Sequence, residues 1–504
     1  MKNTNISFSL LLLIFLMGAC KLDNLHEAEE MLPAPSCDNL VADFNINNNS
    51  CSWPCSINFE NRSVNGVNYL WEFGDGNMAT LSDPEHAYAK PGTYNVKLTV
   101  SDENGCEKII RKDAVIGFQT FEKVLGEEST REIGTQLLAL ANGGYAIIGS
   151  KNDNGGMGLQ AAILRLDVDG NQLWEQTYGG FADDRAFAGI ETPDEGFVFV
   201  GESQNNDTLE KYDAYFHRVF DTGNSWFDNF YVDTVRNTSE EYIYTSDFTS
   251  VIQASNGKYV MLGTSSRYNM DDQSSTTSVF LGQTKGIEFT NDFEASLYGR
   301  PSGVDQGKQI IETADKSSYV LMGITRLPGE SDDDLYLIKV DTSRQLIWEQ
   351  IFSNVNDVEP NSIVETDDGG FIIVGTKNPY ATDSDIAVLK LDPAGNLSWE
   401  KTFGGTGKES GAKVIETENG DLVIVGETTS LGAGVSDLYL LRLDKMGDLI
   451  WERTFGSVFY EWGIDVIQAN DGGFLLLGGK SEQFFNSFRS DILFIKTDDQ
   501  GNVN

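Results

Sequence analysis

The chain has 504 residues, which suggests about two to four domains, because a typical domain holds about 150 residues. Its 36 Lys and Arg residues face 77 Asp and Glu residues. The resulting formal charge of −41 disfavours nucleic acid as a partner, because phosphate backbones are bound mainly by Lys and Arg. With 51 Gly, 11 Pro and a hydrophobic fraction of 40%, the composition excludes a disordered, Pro-rich chain and indicates a globular, β-rich protein.

The first twenty residues have the pattern of an export signal. A basic start at Lys2 precedes the apolar run from Leu10 to Met17, which is too short to span a bilayer. The sequence Leu16-Met17-Gly18-Ala19-Cys20 resembles the lipobox of bacterial lipoproteins, in which the cysteine is acylated. This resemblance implies a signal peptide over residues 1–19 and lipidation of Cys20. The alternative is an ordinary secretory signal with an incidental cysteine.

The lipoprotein resemblance also sets the expected location. Residues 20–36 are polar and acidic and contain Pro33 and Pro35, so we expect an extended tether. No other segment approaches eighteen apolar residues, so the acyl chains are the expected membrane anchor. We therefore expect a bacterial cell-envelope protein that is anchored by lipid, at the outer membrane or cell surface.

Four further cysteines, Cys37, Cys51, Cys55 and Cys106, all lie before residue 110. In a small exported domain this number predicts up to two disulfides, with three possible pairings. A zinc site is the alternative, but the spacings lack a paired C-x-x-C, and no histidine is interleaved in a ligand pattern.

Residues 37–117 have the pattern of a small β-sandwich, because apolar and polar residues alternate in short runs such as Tyr94 to Val100. The runs that start at Trp71, Asp83, His86 and Pro91 (WEFGDG, DP, HAY and PGTY) closely resemble the PKD domain, an immunoglobulin-like sandwich of surface and secreted proteins. The resemblance implies that Trp71 and Phe73 are core residues and that His86 is a packing residue. It also suggests disulfides between Cys51 and Cys106 and between Cys37 and Cys55.

The remainder of the chain, residues 118–504, is built from repeats. Runs that end in a glycine close at residues 149, 201, 263, 323, 375, 426 and 478, with steps of 52, 62, 60, 52, 51 and 52. Each unit adds three more strand-like runs, several joined by turns rich in Gly, Asp and Asn. Four short strands per repeat form one blade of a β-propeller, so we predict seven blades.

The two ends of this region predict a closed ring. The large aromatic residue of the outer strand recurs as Phe121, Trp174, Trp226, Phe289, Trp348, Trp399 and Trp451. The first copy precedes the first full repeat, and the seventh repeat has none. We therefore predict that residues 118–125 pair with residues 491–497, which removes the open sheet edges. An open solenoid would need polar capping repeats, which are not evident.

The repeat resembles uncharacterised propeller repeats of exported bacterial proteins. More distantly it resembles the quinoproteins, whose blades share an Asp-x-x-Gly-x-x-x-Trp-like element similar to Asp167 to Trp174. Quinoprotein dehydrogenases hold pyrroloquinoline quinone on Ca²⁺, often under a disulfide of adjacent cysteines, and this region contains no cysteine. We therefore expect no cofactor and no metal. Calcium is the weaker alternative for acids that suit turns better: Asp167, Asp169, Asp392, Asp444 and Asp498.

A carboxylate recurs near the start of each repeat, seventeen residues before the closing glycine or within one position of that. The set comprises Glu132, Asp184, Asp247, Asp305, Glu359, Glu409 and Glu461. Because residues that recur in all blades usually hold the blades together, a structural role is favoured over a metal-binding ring.

Departures from the repeat are the candidate ligand-binding residues. Trp462 stands where other repeats have Ile133, Arg185, Gln306 or Ser410, and Phe459 and Tyr460 adjoin it. At the mouth of a propeller channel, such rings can stack on sugars or anchor a peptide. Neighbouring loops would add Arg131, Asp184, Arg185, Lys408 and Glu409. The alternative is that Trp462 packs on the next blade. Two polar insertions, Ser265 to Thr276 and Leu327 to Asp333, are further candidates for a partner surface.

No catalytic residue is assigned, because His217 is the only histidine of the repeats and no nucleophile motif accompanies it. The favoured function is a lipid-anchored binding or scaffolding protein, in which a PKD spacer presents the propeller to a glycan or protein. The alternative is a carbohydrate-active enzyme, a hydrolase or lyase that uses channel carboxylates. A third function, a structural part of an outer-membrane assembly machine, rests on analogy with other lipoprotein propellers.

Overall fold

The computed structural model describes residues 37–503, except for residues 48–49, 128–129, 153–157, 181–182, 205–211, 226–229, 233–241, 270–274, 285–292, 301–302, 327–328, 330–332, 354–356 and 483–489. The predictions for residues 1–36, including Cys20, lie outside the described residues, as do Trp226, Phe289 and parts of both insertions. The described residues form strands, turns and loops, and they contain no helix able to cross a membrane.

The chain divides into two compact units. The described part of the first contains residues 37–47, 57–86 and 94–114, and the second contains residues 115–503 together with 49–56 and 87–93. Between residues 44 and 117 the described residues form eight strands: β1 Phe44–Asn47, β2 Ser50–Ser52, β3 Ser56–Asn61, β4 Asn68–Glu72, β5 Met78–Ala79, β6 Glu85–Ala87, β7 Gly92–Ser101 and β8 Glu107–Gly117.

These strands form two sheets, with the orders β1-β3-β6 and β2-β8-β7-β4-β5. Aromatic rings fill the space between them: Trp71 lies 5.0 Å from Phe44 and 5.6 Å from Phe59, and Phe73 lies 5.3 Å from Phe59, between ring centroids. All four side chains are buried, as alternation along the strands predicts for the inward face. Trp71 and Phe73 are therefore core residues.

The disulfide pairing suggested by the sequence is wrong. The structure joins Cys37 to Cys106 and Cys51 to Cys55, with Cα–Cα distances of 5.6 and 6.4 Å. The reason is the parallel pairing of β2 with the far end of β8, which places Cys51 beside Ile116. Ten residues of extended strand, about 33 Å, separate Ile116 from Cys106, whereas a disulfide needs Cα atoms within about 7 Å.

Twenty-eight strands follow in the described residues of the second part. They are β9 Phe121–Leu125, β10 Arg131–Ala139, β11 Tyr145–Asn152, β12 Gln160–Leu166, β13 Gln172–Tyr178, β14 Asp184–Glu191, β15 Phe197–Gln204, β16 Tyr212–Val219, β17 Phe230–Val232, β18 Tyr242–Gln253, β19 Tyr259–Asn269, β20 Ser275–Thr284, β21 Phe293–Tyr298, β22 Val304–Glu312, β23 Ser318–Arg326, β24 Asp334–Asp341, β25 Leu346–Phe352, β26 Val358–Glu365, β27 Phe371–Lys377, β28 Asp385–Leu391, β29 Leu397–Phe403, β30 Glu409–Glu416, β31 Leu422–Thr428, β32 Asp437–Leu443, β33 Leu449–Phe455, β34 Tyr460–Gln468, β35 Phe474–Ser481 and β36 Asp491–Lys496.

Successive strands form four-stranded antiparallel sets: set 1 (β10–β13), set 2 (β14–β17), set 3 (β18–β21), set 4 (β22–β25), set 5 (β26–β29), set 6 (β30–β33) and set 7 (β34–β36 with β9). Sets 3 and 4 join into one eight-stranded sheet through the parallel pair Thr277 and Val304. The first strands of the sets, here called the inner strands, contact one another in chain order, and β34 contacts β10. The arrangement is propeller-like.

The apolar core of this part lies between neighbouring sets. Val and Ile side chains on one face of a set pack against aromatic and aliphatic side chains of the next set, and each such layer is buried. The last layer joins set 7 to set 1 through Leu477, Phe494, Ile147 and Leu166. Strands buried on both faces read as continuous apolar runs, which explains the glycine-ended runs of the sequence.

The chain start closes this arrangement. Strand β9 pairs antiparallel with β36, from Phe121 opposite Lys496 to Leu125 opposite Ile492. Inner strands are also joined by side-chain hydrogen bonds at equivalent positions: the backbone N–H of Gly189 donates to Gln136 (2.8 Å), and that of Leu137 donates to Asp465 (2.8 Å). The second bond links set 7 to set 1 in the same way that the first links set 1 to set 2.

Candidate functional site

The structure places all six candidate residues at the starting ends of inner strands. Phe459 precedes β34, whereas Tyr460 and Trp462 lie in the strand itself and not on the loop before it. Arg131 begins β10, Arg185 lies in β14, and Lys408 precedes β30. These strands belong to sets 6, 7, 1 and 2, which are consecutive. The six residues therefore occupy one arc at one end of the propeller-like part.

Trp462 differs from its counterparts because of its neighbour Gly479. The two residues are paired across β34 and β35, and a Cβ on Gly479 would overlap the indole ring. The other sets carry a side chain at this position: Ser150, Glu202, Thr264, Ile324, Thr376 and Glu427. Gly479 thus leaves room for the ring to lie flat on its own sheet, and Trp462 is half-buried there.

Phe459 is held by contacts with Lys480 and with the backbone of Val435. The Lys480 ammonium lies 5.8 Å from the centre of the Phe459 ring and 3.2 Å from the buried Glu461 carboxylate. The Phe459 carbonyl accepts a hydrogen bond from the Val435 backbone N–H at 2.9 Å. A cation over an aromatic face is attracted by the ring quadrupole. These contacts fix the position of Phe459, and the rings of Phe459 and Tyr460 remain half-exposed.

The three basic candidates differ in their exposure and in their ion pairs. Arg131 and Lys408 are exposed. Arg185 is bound on both sides, at 3.0 Å from Asp183 and 3.1 Å from Glu202. Arg185 therefore has less freedom than the other two to meet a ligand.

Five of the seven recurring carboxylates share one position of the inner strand, and all five are buried: Glu132, Asp184, Asp305, Glu409 and Glu461. Asp305 counts eighteen from its glycine because the hairpin turn of set 4 is one residue longer. Asp247 and Glu359 fall one register position further on, so they point to the opposite face.

The buried carboxylates fasten the loop that enters each inner strand. Asp184 accepts the backbone N–H of Gly180 at 2.7 Å, and Glu409 accepts that of Gly405 at 2.7 Å. Glu409 also accepts a hydrogen bond from the Thr428 hydroxyl at 2.8 Å. Because the donors are backbone groups four residues earlier, these contacts favour the structural role.

Sequence reasoning missed an interacting acid pair on the opposite face. Burial raises the pKa of Asp247 to about 6, and the negative charge of Glu202 adds to the rise. Burial also raises the pKa of Glu202. The Lys308 ammonium, which lies 3.3 Å from Glu359, acts in the opposite direction on Asp247. The repeat spacing groups Asp247 with the structural acids. Only the strand register shows that its side chain points to the opposite face.

The turn acids have the local role that the sequence favours. Asp167 accepts the backbone N–H groups of Asp169 (3.0 Å) and Asn171 (2.7 Å), and Asp444 does the same for Met446 and Asp448. Among the residues described, no group of three or more His, Cys, Asp or Glu side chains is arranged to hold a metal ion.

The two described histidines both pack against aromatic rings. His86 stacks on Phe73 at 4.1 Å between ring centroids, and its Nε2 lies 2.8 Å from Asp75. His217 is 3% exposed and lies among the rings of Tyr178, Phe199 and Tyr215. Its Nε2 lies 3.1 Å from the Ser225 hydroxyl.

Residues 34–116 match the PKD domain family. A stretch of 48 residues is 50% identical to collagenase ColA of Bacillus cereus, and it covers 9% of this chain but 5% of the collagenase. The chain therefore spans only a small part of the curated relatives that it matches.

Similar solved structures include one from Vibrio cholerae and one from Bacteroides thetaiotaomicron. The PKD1 domain of Vibrio cholerae metalloprotease PrtV is 32% identical and covers 16% of this chain and 96% of its own, with a TM-score of 0.14. A quinonprotein alcohol dehydrogenase-like protein from Bacteroides thetaiotaomicron is 10% identical and covers 82% of this chain and 96% of its own, with a TM-score of 0.30. This chain thus contains a PKD domain towards its N-terminus, followed by propeller-like β structure.

Proposed function

We propose that this protein is a lipid-anchored binding or scaffolding protein of the bacterial cell envelope. In this proposal the chain is acylated at Cys20, and the PKD domain carries a seven-bladed propeller whose blades are sets 1 to 7. The inner strands, which contact in order and return from β34 to β10, support this count. The ligand would be a glycan or a protein, and nucleic acid is disfavoured by the net charge of −41.

The observation that carries the binding function is the Trp462 ring lying flat on Gly479. Six of the seven sets have a side chain where set 7 has this glycine, so ring and glycine together are a departure that the repeat does not require. A half-exposed indole with Phe459 and Tyr460 beside it offers flat apolar faces. Such faces stack on sugar rings or anchor apolar side chains, while Arg131 and Lys408 would add polar contacts.

The test is a binding screen of the purified protein against a glycan array and cell-envelope extracts. We expect Trp462→Ala to weaken binding of the captured ligand about 30-fold, as for loss of a central aromatic anchor, with an unchanged melting temperature. Tyr380→Ala is the matched control, since Tyr380 is an aromatic that is 88% exposed outside the site. If Trp462→Ala binds normally and melts lower, the ring only packs, and this binding site is excluded.

A second function, carbohydrate cleavage, is favoured specifically by Asp247. A carboxyl with a pKa of about 6 is suited to donate or accept a proton near neutral pH, and Glu202 provides a second carboxyl nearby. Product analysis of every bound glycan distinguishes the two functions. Cleavage that disappears in Asp247→Asn would make the protein a hydrolase or lyase, whereas binding without products supports the receptor.

A further inference from the structure

Three loops meet where set 6 adjoins set 7, at the end of the propeller-like part where the candidate residues lie. They are residues 404–408, which lead into β30, residues 429–436, which join β31 to β32, and residues 456–459, which lead into β34. None of these residues is acidic, although the whole chain carries 77 Asp and Glu residues among 504, and their one charged residue is Lys408. The three loops are therefore free of acids in a strongly acidic protein.

Backbone hydrogen bonds join the three loops to one another. The Thr429 backbone N–H donates to the Lys408 carbonyl at 2.9 Å, and the Lys408 N–H donates to the Thr429 hydroxyl at 2.7 Å. At the other end of the middle loop, the Val435 N–H donates to the Phe459 carbonyl at 2.9 Å. The exposed and half-exposed side chains along these loops, here called the junction strip, are Lys408, Leu431, Val435, Val458 and Phe459.

The junction strip is mainly apolar. Leu431, Val435 and Val458 are 38%, 48% and 69% exposed, and the Phe459 ring is half-exposed. Single exposed apolar residues are ordinary on a protein surface, whereas several in adjoining loops mark a surface that another molecule covers. The strip is of the second kind, because hydrogen bonds hold its loops side by side.

The junction of sets 5 and 6 shows that the repeat does not require these apolar residues. Its loops are joined in a similar way, because the Ser384 backbone N–H donates to the Gly407 carbonyl at 3.1 Å. Equivalent positions are counted from the start of the third strand and from the buried carboxylate of the next inner strand. The positions that hold Val435, Val458 and Phe459 in the strip are occupied there by Asp383, Thr406 and Gly407.

Buried carboxylates hold the loops of the strip in place. Glu409 accepts the Ser430 backbone N–H at 3.2 Å, and Glu461 accepts the Ser457 backbone N–H at 3.1 Å. Both carboxylates are at most 1% exposed. A surface that is already ordered loses less conformational freedom when a partner binds, so the strip is formed before any partner arrives.

We propose that the junction strip docks an extended segment of a partner protein, and that this segment carries apolar side chains and at least one Asp or Glu. The apolar side chains cover Val435, Val458 and Phe459, and the carboxylate meets the Lys408 ammonium. This inference deepens the proposed binding function and rests on it, because Phe459 belongs to both surfaces.

The side chains of the strip fit a protein segment better than a glycan. Sugars are held by flat aromatic faces together with polar groups that bind their hydroxyls. The branched side chains of Val435 and Val458 offer neither a flat face nor a polar group. Apolar side chains beside an aromatic ring are instead typical of the core of a protein–protein interface.

The charge of the strip fits an acidic segment. Lys408 is exposed and has no ion-pair partner within the described part of the chain, so its ammonium is available to a carboxylate. A protein with a net charge of −41 repels acidic segments in general, and the loops of this junction are an exception. Charge therefore favours an acidic partner at this place over an acidic partner elsewhere on the surface.

The experiment selects phage-displayed random 12-residue peptides on the full chain and removes those that also bind the Val458→Asp variant. We expect the enriched peptides to combine apolar residues with Asp or Glu. Fluorescence anisotropy of synthetic copies should show binding to Val458→Asp weakened about tenfold, because the new carboxylate replaces an apolar contact and repels the peptide. Lys408→Glu should weaken the same peptides by a similar factor.

Two variants at the opposite end of the sheets are matched controls. Val168 is 43% exposed in the turn between β12 and β13, and Val168→Asp makes the same change of side chain there. Lys445 is exposed in the turn between β32 and β33, and Lys445→Glu matches Lys408→Glu. Both controls should bind the peptides as the wild type does. Val458→Ser, which removes the apolar contact alone, serves if Val458→Asp does not fold.

The proposal is overturned if no peptide is enriched, if the enriched peptides are basic, or if Val458→Asp binds them as tightly as the wild type. The glycan array separates this failure from failure of the proposed function. Glycan binding that is lost in Trp462→Ala but kept in Val458→Asp, without enriched peptides, supports the binding function and excludes the strip. Glycan binding that is lost in both variants makes the strip part of a glycan site and also overturns the protein partner.

Discussion

At the residue scale, one turn explains the Asp-x-x-Gly-x-x-x-Trp element of the repeat. The aspartate accepts turn N–H groups, and the glycine adopts a positive φ, as in Asp444 and Gly447 (φ 77°). Gly447 lies against Trp399, the outer aromatic of the preceding set, rather than against the tryptophan of its own motif. The motif looks local in the sequence, but its glycine and its tryptophan make contacts with different sets.

We predict that Gly447→Ala lowers the free energy of unfolding by about 3 kcal/mol. Alanine at positive φ costs about 1–2 kcal/mol, and its Cβ would stand 2.6 Å from the Trp399 ring, which adds a packing cost. Gly472→Ala is the matched control, because Gly472 has a φ of 91° and no heavy atom within 4 Å of its Cβ position. Urea unfolding measures both variants, and equal losses would show that contact with Trp399 contributes nothing.

Asp247 also shows, at the residue scale, that sequence spacing does not determine the face of the sheet on which a carboxylate lies. Its spacing from the closing glycine groups it with Glu132 and Asp184, yet one step of register turns its side chain to the other face of the sheet. The number of residues between the acid and the closing glycine includes both strand residues and the hairpin turn, so it does not give the register of the acid. The face of a carboxylate is therefore decided only by strand pairing.

At the element scale, the outer strand of set 7 is the one that the sequence places most precisely. The missing aromatic in the last repeat predicts that residues 118–125 complete it, and the structure pairs β9 with β36. Phe121 lies 5.2 Å from Phe494, between ring centroids, and contacts the Gly170 turn of set 1. Its ring therefore links the first and last sets, as Trp399 links sets 5 and 6.

We predict that Phe121→Ala loosens this closure, with a loss of about 2 kcal/mol because the ring is only half-buried. Amide hydrogen exchange followed by mass spectrometry should show faster exchange in β36 and β9. Strand β28, which belongs to set 5, is the internal control and should exchange at the wild-type rate. If exchange in β28 accelerates as much as exchange in β36 and β9, the ring opens as a whole and Phe121 has no local role.

At the scale of the whole molecule, the two disulfides belong to different compact units, because Cys51 and Cys55 group with the repeats. Cys37 and Cys106 both belong to the first compact unit, and residues 107–504 contain no cysteine. Their disulfide spans 69 residues, whereas that of Cys51 and Cys55 spans 4. In the chain-entropy description a longer loop loses more freedom in the unfolded state when it is closed.

We predict that replacing Cys37 and Cys106 by alanine lowers the free energy of unfolding of the first unit by about 4 kcal/mol. Replacing Cys51 and Cys55, which belong to the second unit, should lower the free energy of unfolding of that unit by about 2 kcal/mol. Calorimetry of both double variants beside the wild type tests this order. The transition of the second unit should keep its temperature when Cys37 and Cys106 are removed. A shift of both transitions would instead show that the two units unfold together.

The sequence by itself determined the fold class, the PKD domain, the propeller-like repeats and the strand that closes them, because alternation, turn residues and repeat length are properties of neighbouring residues. It placed the six candidate residues near the starts of inner strands that the structure brings to one arc, because equivalent positions of neighbouring inner strands lie side by side. The cysteine pairing, the face of Asp247 and the glycine beneath Trp462 were decided only by the tertiary structure. Each is a contact between strands or loops whose register and neighbours are set by the packing of the sheets, and local pattern carries no information about it.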